Sequence, residues 1–264
     1  MMMPKNRFKA RLGELQYGAW AGMAHPYAAE IVASTGYDWM LIDGEHAPNT
    51  VPTILAQLQA LAACDSAPVV RAVSDDKALI KQLLDIGAQT LMIPMVESAA
   101  QAEEIVRAMR YPPHGVRGVG GGLARATRWD GVPDYLRTAH ESLCLIVQIE
   151  SRAGAGQAAG IAATQGVDAV FIGPADLSIN LGHPGNPGHP EVQACIRGVI
   201  EAANAAGKAC GILAPDPEDA RRYRDWGCRF IAVGIDISLL CRAARDNLAV
   251  HRGEPADGAS PRTY

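Results

Sequence analysis

The chain has 264 residues, 48% of them apolar and 20% charged, which supports a substantial buried core and excludes a disordered chain. Lys and Arg number 24 against 28 Asp and Glu, and the resulting net charge of −4 leaves no basic footprint for a nucleic-acid backbone. The 4 Trp, 7 Tyr and 3 Phe are too few for base-stacking platforms.

In chain order, eight short apolar runs read as strands: Tyr17–Met23, Trp39–Ile42, Pro68–Val73, Thr90–Val96, Leu143–Ile149, Ala169–Ile172, Ala209–Leu213 and Phe230–Val233. Most are continuously apolar, as strands buried on both faces should be. Helical periodicity fills the gaps. Thr50–Ala63 carries Val51, Ile54, Leu55, Leu58 and Leu61 on one stripe. A helix over Asp75–Leu84 is expected to start at a Ser74 cap and stop at Gly87. Ser98 and Gln101 form a capping-box pattern for Ser98–Arg110. Pro190–Ala206 stops at Gly207, and Pro217–Trp226 stops at Gly227. Eight strand–helix alternations without hairpins predict an α/β fold, a closed (β/α)8 TIM barrel, over residues 1–251. That fold typically needs about 250 residues. One connection is too long for a plain turn, Tyr111–Pro133, with the glycines Gly118, Gly120, Gly121 and Gly122 and the arginines Arg117, Arg125 and Arg128. It reads either as a mouth-lining or subunit-contact loop or as plain surface. The tail 252–264 is expected to be mobile.

No apolar run reaches the roughly 18 residues of a membrane span. The basic N-terminus has no apolar stretch after its charges, so no secretory signal is expected. The six cysteines are scattered without metal-ligand spacing and read as reduced thiols. These features predict a cytoplasmic protein that binds neither nucleic acid nor membrane.

In a (β/α)8 barrel the active site lies at the C-terminal ends of the strands. There the sequence places Asp43-Gly44-Glu45-His46 after the second strand and Arg71 in the third. Glu97 follows the fourth strand, Gln148-Ile149-Glu150 ends the fifth, Gly173-Pro174-Ala175-Asp176 follows the sixth, and Asp236 follows the eighth. Such charges cannot be buried unpaired. Gln148 and Glu150, two apart on a strand, share a face. With Asp176 on the next strand's loop they form an oxygen-rich site, which suits Mg²⁺, Mn²⁺ or a similar hard cation better than structural zinc. Arg71, embedded in an apolar strand, calls for an anion. His46 is the leading histidine, His25 a lesser one, and His114, His140, His183, His189 and His251 read as surface or loop residues. None of Lys5, Lys9, Lys77, Lys81 and Lys208 is placed to form a Schiff base, so carbanion chemistry would need the cation as Lewis acid.

The segments LIDGEHAPN (Leu41–Asn49), PVVR (Pro68–Arg71), LLDIGAQTLMIPMV (Leu83–Val96), RYPPHGVRGVG (Arg110–Gly120), VQIE (Val147–Glu150), FIGPADLS (Phe171–Ser178) and NPGHPEVQ (Asn186–Gln193) resemble the metal-dependent class II pyruvate aldolases. The resemblance is strongest to the 4-hydroxy-2-oxoheptanedioate aldolase branch, with sugar-diacid aldolases of the 2-dehydro-3-deoxyglucarate type as siblings. It implies Glu150 and Asp176 as ligands of Mg²⁺, Mn²⁺ or Co²⁺. Gln148 and the Ala175 amide would hold pyruvate, with Asp176 also in the substrate site. Arg71 would stabilise the enolate, His46 would act as base, and Asp85 would raise the basicity of that histidine. Asp85 ends the helix before the fourth strand, at the far end of its own barrel, so either it would reach a His46 from a neighbouring subunit or the helix ends elsewhere than its pattern suggests. The resemblance further implies a homohexamer, a dimer of trimers, with the last helix exchanged between protomers. The implied reaction is reversible cleavage of 4-hydroxy-2-oxoheptane-1,7-dioate to pyruvate and succinate semialdehyde. A sugar-diacid aldolase, an acyl-CoA lyase and a non-catalytic oxo-acid-binding barrel are the alternatives. An acyl-CoA lyase would want a basic groove, and the only clustered cations are Arg221, Arg222 and Arg224.

Overall fold

A computed structural model describes residues 3–255. Eight parallel strands, β1 (Gln16–Ala21), β2 (Trp39–Asp43), β3 (Ala67–Arg71), β4 (Thr90–Ile93), β5 (Cys144–Ile149), β6 (Ala169–Ile172), β7 (Ala209–Leu213) and β8 (Phe230–Ile235), pair in sequence order. β8 also pairs with β1, which closes the barrel. All eight expected strands are present. β1, β3 and β4 end two or three residues earlier than their apolar runs suggest, because the chain leaves the ladder while still apolar.

The strand side chains sort by parity into two cores. Trp20, Trp39, Leu41, Val69, Met92, Ile146, Phe171, Phe230 and Ala232, from seven different strands, meet in one buried cluster. Residues from so many strands can meet only inside the barrel. Their neighbours Ala19, Met40, Ile42, Val70, Leu91, Val147, Val170 and Ile231 join the outer cluster under the helices. The scarce aromatics are concentrated in the interior. Phe8, on the short helix Arg7–Ala10, plugs the floor edge-on against Trp39 and Phe230, at ring centroid distances of 5.8 and 5.3 Å. Gly18 makes room for this packing, since a Cβ there would lie 2.2 Å from the Trp39 ring.

The helices follow the sequence signals with one correction. Asp76, not Ser74, caps the helix Lys77–Asp85, its carboxylate accepting the Leu79 amide at 2.8 Å. Asp76 stands directly before the first helical residue, where a cap must be, and Ser74 instead accepts the amide of Asp76. Ser98 caps Ala99–Met109, with Gln101 reaching back to the Glu97 amide at 2.8 Å. The last helix, Asp236–Arg252, buries only Asp236, and leaves Ile237, Leu240, Leu248 and Val250 exposed. The tail expected to be mobile lies outside the described residues from 256 onward, and Arg252 itself belongs to the helix. No helix among the described residues is long and apolar enough to cross a membrane.

Candidate active site

The interior parity of the strands selects the polar residues at the barrel mouth. On β2 the inward positions are Trp39, Leu41 and then Asp43. On β3 they are Ala67, Val69 and then Arg71. On β5 Ile146 is followed by Gln148 and, just past the strand, Glu150. The same alternation that fills the barrel with apolar side chains therefore ends in a buried polar layer.

Asp43 and Arg71 are direct partners in the β2–β3 register. Arg71 Nε donates to Asp43 Oδ1 at 2.9 Å and Nη2 to Oδ2 at 2.7 Å. Nη1 lies 3.0 Å from Glu45 Oε2, within ion-pair distance but out of hydrogen-bond alignment. The guanidinium has five N–H donors, and its Nη atoms keep donor capacity for a substrate oxygen. Asp43 also accepts the amides of Glu45 and His46 at 3.0 and 3.4 Å, so one carboxylate fixes both the arginine and the loop that carries the histidine. Burial pushes the Asp43 carboxyl up, but Arg71 and the two amides outweigh it and hold it below the usual range. Burial raises Glu45, and Asp43 and Asp176 add to that shift while Arg71 and His46 oppose it. His46 stands exposed at the mouth, its Nε2 3.8 Å from Glu45 Oε2.

Glu150 is almost fully buried, with Oε1 accepting the Met95 amide at 2.9 Å and Oε2 accepting from Gln148 Nε2. Burial, reinforced by Glu45 and Asp176, pushes its carboxyl up to about 7 despite the Met95 and Gln148 hydrogen bonds. Gln148 Oε1 is buried without a hydrogen-bond partner among the described residues. Gly173 clears the space in front of this pair, since a Cβ there would lie 2.2 Å from Glu150 Oε2. Asp176 lies in the first turn of Pro174–Asn180, beside Ala175. A divalent cation fits this donor set. The donors are all oxygen, the buried Glu150 carboxylate forms no ion pair among the described residues, and a carbonyl oxygen without a hydrogen-bond donor stands next to it.

The HpcH/HpaI aldolase/citrate lyase family matches residues 16–243. This chain belongs to that family. It is 70% identical over its full length and that of the relative to a hydroxypyruvate/pyruvate aldolase of Delftia acidovorans. It is 52% identical to a 4-hydroxy-2-oxo-heptane-1,7-dioate aldolase of Escherichia coli, covering 98% of this chain and 100% of the relative. A solved HpcH/HpaI aldolase/citrate lyase family protein from Burkholderia cenocepacia superposes with a TM-score of 0.91 at 44% identity, covering 94% of this chain and all of that one. Like its named relatives, the chain is an aldolase, and family membership implies dependence on a divalent cation.

Within one chain of this HpcH/HpaI aldolase, Asp85 is not at the mouth. It closes the helix leading into β4, at the opposite end of the barrel, and accepts from Arg117 Nη2 at 2.7 Å. The long loop packs there too, with Arg117 buried under the Tyr111 ring and Arg125 donating to the Ile86 carbonyl, so it does not line its own barrel's mouth. His25 caps the helix Pro26–Ala33, accepting the Tyr27 amide. Glu97 accepts from Ser151 Oγ at 2.6 Å. Asp236 accepts the amides of Gly22 and Met23 and locks the turn after β1. Lys9 and Lys208 are held by the carbonyls of Leu143 and Val167 at the floor of the barrel. The sequence places Asp43 at the mouth without showing its partner. The inward parity of residues 39, 41 and 43, opposite 67, 69 and 71, was the available signal for its pairing with Arg71.

Proposed function

We propose that this chain catalyses a reversible aldol reaction between pyruvate or hydroxypyruvate and an aldehyde, on one barrel spanning residues 1–251. The observation that carries this reading is the buried layer Asp43, Arg71, Gln148 and Glu150, which joins an oxygen-donor site to a fixed guanidinium. Glu150 and Asp176 would hold Mg²⁺, Mn²⁺ or Co²⁺. The bound cation would supply Lewis-acid polarisation of a 2-oxo acid.

The chain's own residues supply the rest. Gln148 and the Ala175 amide bind the 2-oxo acid, and the first-turn amide has no intrahelical acceptor to lose. Arg71 offsets charge as it develops on the enolate oxygen, with Asp43 holding it in place so that little reorganisation is needed. In the cleavage direction His46 takes the proton of the C4 hydroxyl, the C3–C4 bond breaks, and its electron pair becomes the enolate. Return of a proton to C3 releases pyruvate. Asp85 would act on a neighbouring subunit's histidine in a homohexamer built as a dimer of trimers with the last helix exchanged. The exposed face of Asp236–Arg252 supports that arrangement. The enzyme would work in the cytoplasm.

Pyruvate and hydroxypyruvate are favoured as donors because the relatives of higher identity carry those substrates in their names. Cleavage of 4-hydroxy-2-oxoheptane-1,7-dioate to pyruvate and succinate semialdehyde is the second reading, supported by the E. coli relative's name. Coupled detection of pyruvate across a panel of 4-hydroxy-2-oxo acids, with and without Mg²⁺ or Mn²⁺, tests the proposal. Cation-dependent release from several members is expected. No release from any member would overturn it.

A further inference from the structure

Outside the polar layer, one cluster of metal-ligating side chains among the described residues joins the loop that follows Pro174–Asn180 to the first turn of Pro190–Ala205. His183, His189 and Glu191 offer ligand atoms that all lie within 4.8 Å of one another. His183 Nε2 is 2.8 Å from Glu191 Oε2, and the two imidazole rings stack at a centroid distance of 3.5 Å with planes 17° apart. An imidazole binds a metal in its own ring plane, so one ring must turn out of the stack for both to share an ion, a side-chain rotation that leaves the loop backbone in place.

The loop is ordered by its own backbone before any ligand arrives. The His183 amide donates to the Ser178 carbonyl at 2.7 Å, and the His189 amide to the Asn186 carbonyl at 3.1 Å. Gln193 Nε2 holds the Pro187 carbonyl at 2.8 Å. Gly182 and Gly185, at φ of +89° and +69°, make the turns that bring the two rings together.

We infer that His183, His189 and Glu191 form a second divalent-cation site, distinct from the oxygen-donor site at Glu150 and Asp176. Two imidazoles and one carboxylate select a borderline transition ion such as Zn²⁺ over Mg²⁺. The ion would tie the 181–189 loop to the start of the helix Pro190–Ala205. Two neighbours set its affinity. Arg152 Nη2 lies 3.4 Å from Glu191 Oε1 and competes with a cation for that carboxylate. His189 Nδ1 accepts the Glu191 amide at 3.2 Å as the helix cap. A metal on either ring nitrogen removes that acceptor, at Nδ1 by taking its lone pair and at Nε2 by leaving the ring proton on Nδ1. Binding therefore exchanges a long cap hydrogen bond for a metal bond.

Equilibrium dialysis of the tag-free chain against Zn²⁺, with bound metal counted per chain, tests this. The Glu150→Gln background removes the first site, so one Zn²⁺ per chain should remain. In that background, His183→Ala and Glu191→Gln should each weaken Zn²⁺ binding at least tenfold, and Arg152→Gln should strengthen it. Circular dichroism separates ligand loss from misfolding, and Glu191→Gln preserves side-chain shape. The inference is overturned if the Glu150→Gln chain binds no Zn²⁺, or if the folded His183→Ala and Glu191→Gln variants bind it unchanged.

Discussion

Asp43 and Arg71 sit opposite each other on adjacent strands and close a two-point ion pair, at 2.9 and 2.7 Å, inside the barrel mouth. Both side chains are nearly inaccessible to water. Neutralising Asp43 breaks both hydrogen bonds and leaves the buried Arg71 with Glu45, 3.0 Å from Nη1, as its ion-pair partner, at a cost of about 3 kcal/mol. Asp43→Asn should therefore lower the unfolding free energy by about that amount, read from urea titration. The pair also carries a pH signature. The folded Asp43 carboxyl lies below its ordinary value, so its contribution is present above the usual carboxylate range, near pH 4, and is lost as pH falls. The wild type should lose stability on acidification through that range more steeply than Asp43→Asn.

Arg71 has a separate chemical role in the proposed reaction. Arg71→Ala, with Asp43→Asn added to avoid a stranded carboxylate, should lower kcat for pyruvate formation by about 10²–10³-fold, the usual cost of losing one donor to a developing oxyanion. Loss within a few-fold of wild type would remove Arg71 from the enolate site.

Asp85 and His46 lie at opposite ends of one barrel, so a functional link between them requires two subunits. Asp85→Asn and His46→Ala should each be inactive alone. Co-expressed and co-purified, they should regain part of the wild-type activity, because mixed assemblies contain sites with both native residues. Mixed assemblies as inactive as their parents would confine Asp85 to its ion pair with Arg117.

The last helix gives the corresponding test of assembly. Leu240 is 59% exposed on a helix that buries only one of its residues in the chain. Leu240→Glu should place a charge in the covered face of the proposed hexamer and shift the sedimentation coefficient toward smaller species. Unchanged sedimentation would exclude that face from the interface.

The barrel was legible because most β-strands are short apolar runs and several connecting helices carry a glycine stop signal, such as Gly87, Gly207 and Gly227. The candidate site was legible because Arg71 and Gln148 interrupt apolar strands and Glu150 directly follows one. What local pattern could not give were relationships across strands. The Asp43–Arg71 pair depends on the β2–β3 register. The cap at Asp76 rather than Ser74 depends on where the helix begins. Asp236 and Glu97 looked like further mouth acids, and only the fold shows them satisfied by turn amides and by Ser151. His183 and His189, read from sequence as surface residues, gain interest only when the loop stacks them.

In the proposed reaction this site forms the enolate of a 2-oxo acid with the help of a cation and Arg71. Proton exchange at the pyruvate methyl group in D₂O, followed by NMR without any aldehyde, measures that step alone. Enzyme-dependent exchange should stop on chelation with EDTA, return with Mg²⁺ or Mn²⁺, and be lost in Glu150→Gln. Exchange that persists unchanged in EDTA and in Glu150→Gln would contradict the proposed reaction.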